Sequence, residues 1–329
     1  MILICGGAGY IGSHMVSFLK ERNIEVIVID NLSNGHKQSI CKNVPLYIGD
    51  IRDKVFLRKI FKKNKITSVI HFCADSIVKE SMKNPIKYYD NNLIGVINLL
   101  YIMNEFKVKH IVFSSTAAVY GNPKKIPITE DMDTIPTNAY GETKLAIEKL
   151  FKWADYAYNI KFVALRYFNV AGAHETGKIG EDHNPETHLI PILLQTALSK
   201  RKDIYIYGND YLTHDGTCIR DYIHVMDVVN AHKLALDYLI KNNKSNIFNL
   251  GTGKGFSVKE IINTVEKIIK RQLKIIIKNR RDGDPSRLIA DNKKVKKILR
   301  WEPKLSSINN IVSTSWNWHK NNPYGYNDK

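Results

Sequence analysis

The sequence predicts an α/β fold, a doubly wound parallel sheet followed by a smaller α/β C-terminal region, and three observations carry that prediction. Short β-branched runs alternate with amphipathic segments through the first 168 residues, a glycine-rich turn follows the first run directly, and an aspartate closes the second. Strands are expected at 2–5, 25–29, 45–48, 67–72, 109–114 and 161–166, with helices near 11–22, 53–63, 85–104 and 140–158. Strands this apolar are buried on both faces, as in a parallel sheet covered by helices. In the first helix Ile11, Met15, Phe18 and Leu19 recur at helical spacing. That stripe packs the helix on the sheet and keeps the preceding glycine turn rigid. Leu93, Val96, Ile97, Leu100 and Tyr101 make a similar stripe in 85–104, weakened at its start by Asn91, Asn92 and Gly95.

After Phe168 the pattern changes. Residues 170–187 are rich in Gly, His and charge with little periodicity, and read as a long loop of the kind that covers a ligand. Further helices are expected at 188–200, 224–241, 257–270 and 305–319, with short strands at 204–207, 246–249 and 273–279. The reading divides the chain into a nucleotide-binding unit, 1–168, and a mainly substrate-binding unit, 169–329. Helix 224–241 and part of the segment after it are expected to return to the first unit. The second unit would close over the carboxyl edge of the sheet, where open α/β sheets bind ligands.

With 329 residues, 44% hydrophobic and 25% charged, the chain has the composition of a globular protein rather than a disordered one. No apolar run approaches the roughly 18 residues of a membrane span. The 49 Lys and Arg against 32 Asp and Glu give a formal charge of +17, which draws phosphate of any kind. The lysines are spread along the chain without a basic tail or interleaved aromatics, so an anionic small molecule is favoured over nucleic acid. Cys5, Cys41, Cys73 and Cys218 lack any CxxC spacing, so neither a disulfide framework nor a metal site is expected. The chain opens on its first strand without a charged leader, and the expectation is a reduced, cytoplasmic protein.

Gly6, Gly9 and Gly12 form GxxGxxG, opening a helix at Tyr10 and Ile11. Such glycines allow a tight turn, close backbone approach to a pyrophosphate and close helix packing, with helix N–H groups facing the anion. This makes the first unit Rossmann-like. Asp30 stands where a carboxylate accepts both hydroxyls of an adenosine ribose, though an ordinary turn cap would also use it. Asn31 and Leu32 follow it without an arginine for an extra phosphate, so NAD is preferred over NADP. Asp50 and Ile51 fall at the adenine edge, and Phe72, Cys73 and Ala74 along the dinucleotide path. Tyr140 and Lys144 share one helix face at i and i+4. There an ammonium, together with a positive cofactor ring, could bring a phenol from a pKa of ~10 to ~7, about 4 kcal/mol of stabilisation. Ser114, Ser115 and Thr116 end a strand beside them, where a hydroxyl can relay a proton. Together these residues point to redox chemistry on a small alcohol.

GGAGYIGSH from Gly6, SSTAAVYG from Ser114, YGETK from Tyr140, LRYFNVAGAH from Leu165 and GTCIRDYIHVMD from Gly216 occur in one order. By these the chain, from Met1 to about residue 310, resembles the extended short-chain dehydrogenase/reductase superfamily and, more closely, its UDP-glucose 4-epimerase family. The resemblance implies NAD as cofactor, a UDP-hexose substrate, exchange between UDP-glucose and UDP-galactose through a 4-keto sugar, and a homodimer with no membrane part. It makes Tyr140 the acceptor of the sugar O4 proton and Lys144 the residue holding the nicotinamide ribose, with Thr116 bonding the sugar O4. It makes Ser114, Asn91 and Phe168 cofactor contacts. Asn169, His188, Leu189, Arg220, Arg281 and Asp284 fall in its UDP-sugar motifs, and Tyr205 and Tyr207 beside uracil.

Arg220 and Arg281 suit pyrophosphate because a guanidinium binds it bidentately, although Arg220 could instead pair with neighbouring Asp221. The chain departs from the family pattern at Thr116 in place of serine, Ser76 in place of a lysine, and His188 in place of asparagine. Leu288 takes the family's gate position, which bears on N-acetylated sugars. A nucleotide-sugar 4,6-dehydratase would need an acid and a base after Thr116, where Ala117 and Ala118 stand. A UDP-glucuronate decarboxylase or an NAD-binding regulatory protein are the remaining alternatives.

Overall fold

The computed structural model describes residues 1–281 and 284–326. The chain runs β1 (Ile2–Cys5), α1 (Tyr10–Lys20), β2 (Val26–Asp30), β3 (Leu46–Ile48), α2 (Lys54–Lys63), β4 (Ser68–His71), α3 (Val78–Lys83), α4 (Pro85–Tyr89), α5 (Gly95–Glu105), β5 (His110–Thr116), α6 (Ala139–Tyr158) and β6 (Lys161–Tyr167). It continues with β7 (Asn169–Ala171), α7 (Leu189–Ala197), β8 (Ile204–Tyr207), β9 (Ile219–Arg220), β10 (Tyr222–His224), α8 (Val225–Asn242), β11 (Asn246–Leu250), β12 (Phe256–Ser257), α9 (Val258–Ile269), β13 (Ile275–Lys278), β14 (Arg287–Leu288), α10 (Lys293–Leu299) and α11 (Ile308–Asn321).

Seven parallel strands form the main sheet in the order β11-β6-β5-β4-β1-β2-β3. Their side chains point into two separate cores. On one face Met15, Val16, Phe18 and Leu19 of α1 meet Val228, Ala235, Leu236 and Leu239 of α8. On the other, Leu57 and Ile60 of α2, Leu99 and Met103 of α5, and Ile147 and Phe151 of α6 cover the sheet. Strand order reverses between β1 and β4, which opens a crevice at their carboxyl ends. A third core joins α7, α9 and α11 through Leu193, Ile261 and Ile311.

Helix α8 packs on α1, β5 and β6, and β11 adds to the sheet in register with β6, so the chain returns to the main sheet after β10. The segment 85–104, expected as one helix, is α4 and α5 joined by a π turn, Asp90–Ile94. The wider turn lets Asn92 face inward, where its amide donates to the Asp75 carbonyl and to Thr143 Oγ1 and its oxygen accepts the Asp75 N–H. Gly95 follows because a Cβ there would come 2.6 Å from Ile51 Cδ1. The periodicity could not show α3, α10 or the short strands β7, β9, β10, β12 and β14, which are too brief for a repeat to register. No helix among the described residues is long and apolar enough to cross a membrane.

Candidate active site

Three glycines build the turn after β1, each for its own reason. Gly6 has φ of +78° and lies so near the β4 exit that a Cβ would sit 2.7 Å from the Cys73 nitrogen. At Gly12 a Cβ would sit 2.0 Å from the Gly6 carbonyl oxygen, so only glycine lets α1 start this close to the turn. At Gly9 it would meet nothing nearer than 3.6 Å and would project into open space before the helix. The first turn of α1 has neither a side-chain cap nor an acidic residue, which leaves its N–H groups free for an anion. Gly12→Ala is therefore expected to disrupt folding, whereas Gly9→Ala should fold normally and lower NAD affinity on the order of tenfold, about 1.4 kcal/mol. Titrating NAD into both variants beside their melting curves checks this.

Asp30 is 7% exposed at the end of β2. Its Oδ2 accepts the Ala8 N–H and its Oδ1 the Leu32 N–H, each at 2.9 Å. The carboxylate thus fixes the glycine turn, and each oxygen keeps a lone pair for a ribose hydroxyl. Burial pushes its pKa up, against the two N–H bonds. Asn31 donates to Asp50, and Arg52 clamps the same carboxylate and holds it down to about 2. Beside it Ile51 is buried against Gly95. Phe72 packs on His232 with ring centroids 4.7 Å apart, and Cys73 and Ala74 continue the edge from β4. Burial pushes the Cys73 thiol well up, which leaves it an inert wall rather than a nucleophile. Asn91 lies at the π turn with its amide on the Asn92 oxygen. These residues fit an adenine dinucleotide.

Thr116 ends β5, and Tyr140 and Lys144 lie on α6. Asn138 caps α6 by accepting the Gly141 N–H at 2.8 Å, and Gly141 presses so closely on the Ala118 carbonyl that a Cβ would sit 2.7 Å from it. This approach carries Tyr140 to the end of β5, where its hydroxyl lies beside the Thr116 side chain. Lys144 is 1% exposed and donates to the Ser114 carbonyl at 2.8 Å, with its nitrogen 5.9 Å from the Tyr140 ring centre. Lys144 does not reach the phenol, and burial pushes Tyr140 up to about 12 and Lys144 down to about 7.

A buried network holds this pair, and the sequence reading missed it. Glu148 takes the Ser115 hydroxyl at 2.5 Å and the Arg166 guanidinium at 2.9 and 2.5 Å. Arg166 also donates to the Tyr120 hydroxyl, which donates to Asn249 on β11. Glu148 continues the face of Tyr140 and Lys144 at i+8, the one signal that could have found it.

The remaining candidates face the carboxyl edge from the second half of the chain. Phe168 and Leu288 pack against the Ala117, Val119 and Tyr120 turn, within one helical turn of Thr116. Asn169 starts β7, its N–H bonded to the Asp221 carbonyl. Arg220 pairs with Asp284 rather than Asp221, which corrects the alternative pairing. Asp221 is fully buried and accepts N–H groups of Thr252, Gly253 and Ala290. Arg281 stacks 4.0 Å above the Tyr207 ring, while Tyr205, on the same strand, is 40% exposed. His188 directs Nδ1 at Glu181, 2.7 Å away, just before Leu189 opens α7. Glu181 and Glu186 beside it hold this imidazole well above its usual range.

A glycine turn and a Tyr-Lys pair at the carboxyl edge of one doubly wound sheet, with a further core of α7, α9 and α11, are the parts of a nicotinamide-dependent enzyme. The model of the GDP-mannose 4,6-dehydratase family matches residues 3–314. A UDP-glucose 4-epimerase of Halalkalibacterium halodurans is 56% identical over 325 residues, 99% of this chain and 97% of that one. A crystal structure of a UDP-glucose 4-epimerase superposes with a TM-score of 0.98 at 51% identity, covering 99% of both chains. That of the Bifidobacterium longum enzyme, in complex with NAD+ and UDP, superposes with a TM-score of 0.93 at 40% identity over 98% of this chain and 99% of that one. The chain belongs to the UDP-glucose 4-epimerase family of the extended short-chain dehydrogenases/reductases.

Proposed function

We propose that this chain interconverts UDP-glucose and UDP-galactose by inverting C4, with NAD bound at the glycine turn and Asp30. The observation that carries this reading is Tyr140 beside Thr116 at the carboxyl edge, with Lys144 buried one helical turn behind and held on the Ser114 carbonyl at 2.8 Å. When bound, NAD supplies the hydride acceptor and donor. Tyr140 takes the O4 proton of one epimer and returns it to the other, and Thr116 holds O4 and passes the proton. Arg220 and Arg281 hold the pyrophosphate while the 4-keto sugar turns its other face, and Tyr207 flanks the uracil. Incubation with UDP-galactose, followed by product analysis and measurement of NAD released on denaturation, tests the reading. Equilibration to UDP-glucose with no net NADH supports it; a 4-keto-6-deoxy product overturns it in favour of dehydration. Ala117 and Ala118 argue against dehydration, since neither supplies the acid or base that loss of water needs.

Lys144 tunes Tyr140 at a distance, through its charge. Removing that cation raises the phenol pKa, so the base is lost at a higher pH. Lys144→Met is expected to move the acid limb of the kcat–pH profile up by about one pH unit or more, measured at saturating NAD.

Leu288 packs beside the Thr116 turn as a smaller wall than tyrosine would be. We extend the proposal to UDP-GlcNAc and UDP-GalNAc, tested by comparing kcat/KM for UDP-glucose and UDP-GlcNAc. The proposal includes a homodimer through α5 and α6, which expose Ile97 (41%), Tyr101 (56%), Trp153 (70%) and Tyr156 (87%). Sedimentation over a range of concentrations tests it. The four thiols are free, in keeping with a reducing cytoplasm.

A further inference from the structure

The loop ahead of α7 carries two Glu-x-His units, Glu181 to His183 and Glu186 to His188, and the fold turns them toward one another. One ligand atom from each of the four residues lies within 4.8 Å of all the others. His188 Nδ1 is 2.7 Å from Glu181 Oε1 and 3.3 Å from Glu186 Oε1. His183 Nδ1 is 3.2 Å from Glu181 Oε1 and 3.7 Å from Glu186 Oε2. A tetrahedral ion with bonds of about 2.0–2.1 Å sets its ligands about 3.3–3.4 Å apart, the middle of this range.

Two ion pairs alone would account for the proximity but not for the orientation. His183 Nδ1 and Glu186 Oε2 are both buried, and neither makes a hydrogen bond. Glu186 is 6% exposed, and its other oxygen accepts the N–H groups of Thr187 and His188 at 2.7 and 2.8 Å. The backbone thus fixes the carboxylate and leaves the unsatisfied oxygen facing the cluster. Such outer support is what holds ligands for an ion. The His188 side chain is 51% exposed and forms an open lip through which an ion can enter.

We propose that Glu181, His183, Glu186 and His188 bind one zinc ion. Two imidazoles with two carboxylates suit zinc, whereas calcium and magnesium prefer an all-oxygen shell. The ion would fasten the loop to both regions of the chain. The Glu181 carbonyl accepts the Trp318 indole N–H on α11, and the His183 ring lies edge-on to Tyr10 at the start of α1. The site is separate from the chemistry assigned to Tyr140, and the proposal stands whatever sugar the enzyme takes.

The test uses the full-length, tag-free chain with NAD bound. It is stripped with a chelator, loaded with zinc chloride, freed of unbound metal by gel filtration, and analysed for zinc by mass spectrometry. The expected result is about one zinc per chain and a melting temperature that rises with zinc. His183→Gln and Glu186→Gln, each shown to be folded by circular dichroism, are expected to bind zinc at least about tenfold more weakly and to lose that rise. Wild-type protein that retains no zinc overturns the proposal. So does retention by both folded variants equal to wild type, which would place the ion elsewhere.

Discussion

Replacing Tyr140 with phenylalanine is expected to lower kcat for UDP-galactose epimerisation between about 100-fold and about 10,000-fold, the range of a positioned acid–base group. The ring would keep its place, because Gly141 and the Asn138 cap, not the hydroxyl, bring the start of α6 to the end of β5. The hydroxyl itself lies beside the Thr116 side chain. Melting temperature and NAD content should therefore be those of the wild type. Thr116→Val removes the partner hydroxyl while leaving the phenol, and a smaller loss of kcat is expected. Full turnover in Tyr140→Phe would show that another group takes the O4 proton.

The largest stability loss is expected at Glu148→Ala. Glu148 is 1% exposed and Arg166 4%, and the substitution leaves the guanidinium buried without its counter-charge. Removing one member of such a pair costs about 3–5 kcal/mol, much of it the penalty on the partner left behind. Ser115 loses its acceptor as well, and Tyr120 is left as the guanidinium's side-chain partner. Because Glu148 lies on the same face of α6 as Tyr140 and Lys144, kcat should fall along with stability. Denaturant unfolding of Glu148→Ala, Arg166→Ala and the double variant measures it, the double being expected to lose less than the sum of the singles. Additive losses would mean that the pair does not act as a unit.

Much of the first half was legible because its signals are local. β1 and β2 are continuous apolar runs with every residue buried, and α1 and α6 repeat at helical spacing over eleven and twenty residues. The glycine turn announces itself by its spacing after β1, although the close approach that requires Gly6 is to Cys73 at the exit of β4. The i, i+4 relation of Tyr140 and Lys144 was equally visible, but its electrostatics were not. Burial moves both groups away from the ionised pair, and burial is a property of the packed chain.

The π turn, the choice of Asp284 over Asp221 by Arg220, and the Glu148–Arg166 network depend on contacts between residues 17 to 129 positions apart. The meeting of Glu181 with His188 depends on how one loop folds back on itself. The sequence by itself determined the doubly wound sheet, the glycine turn at its first strand and the placement of Tyr140 and Lys144 on one helix face. It could do so because periodicity, turn chemistry and strand ends are all written within a few residues. Only the tertiary structure decided which charges pair, which are stripped of water and which helix turn holds the tyrosine. Those outcomes depend on distances through space, which no spacing along the chain records.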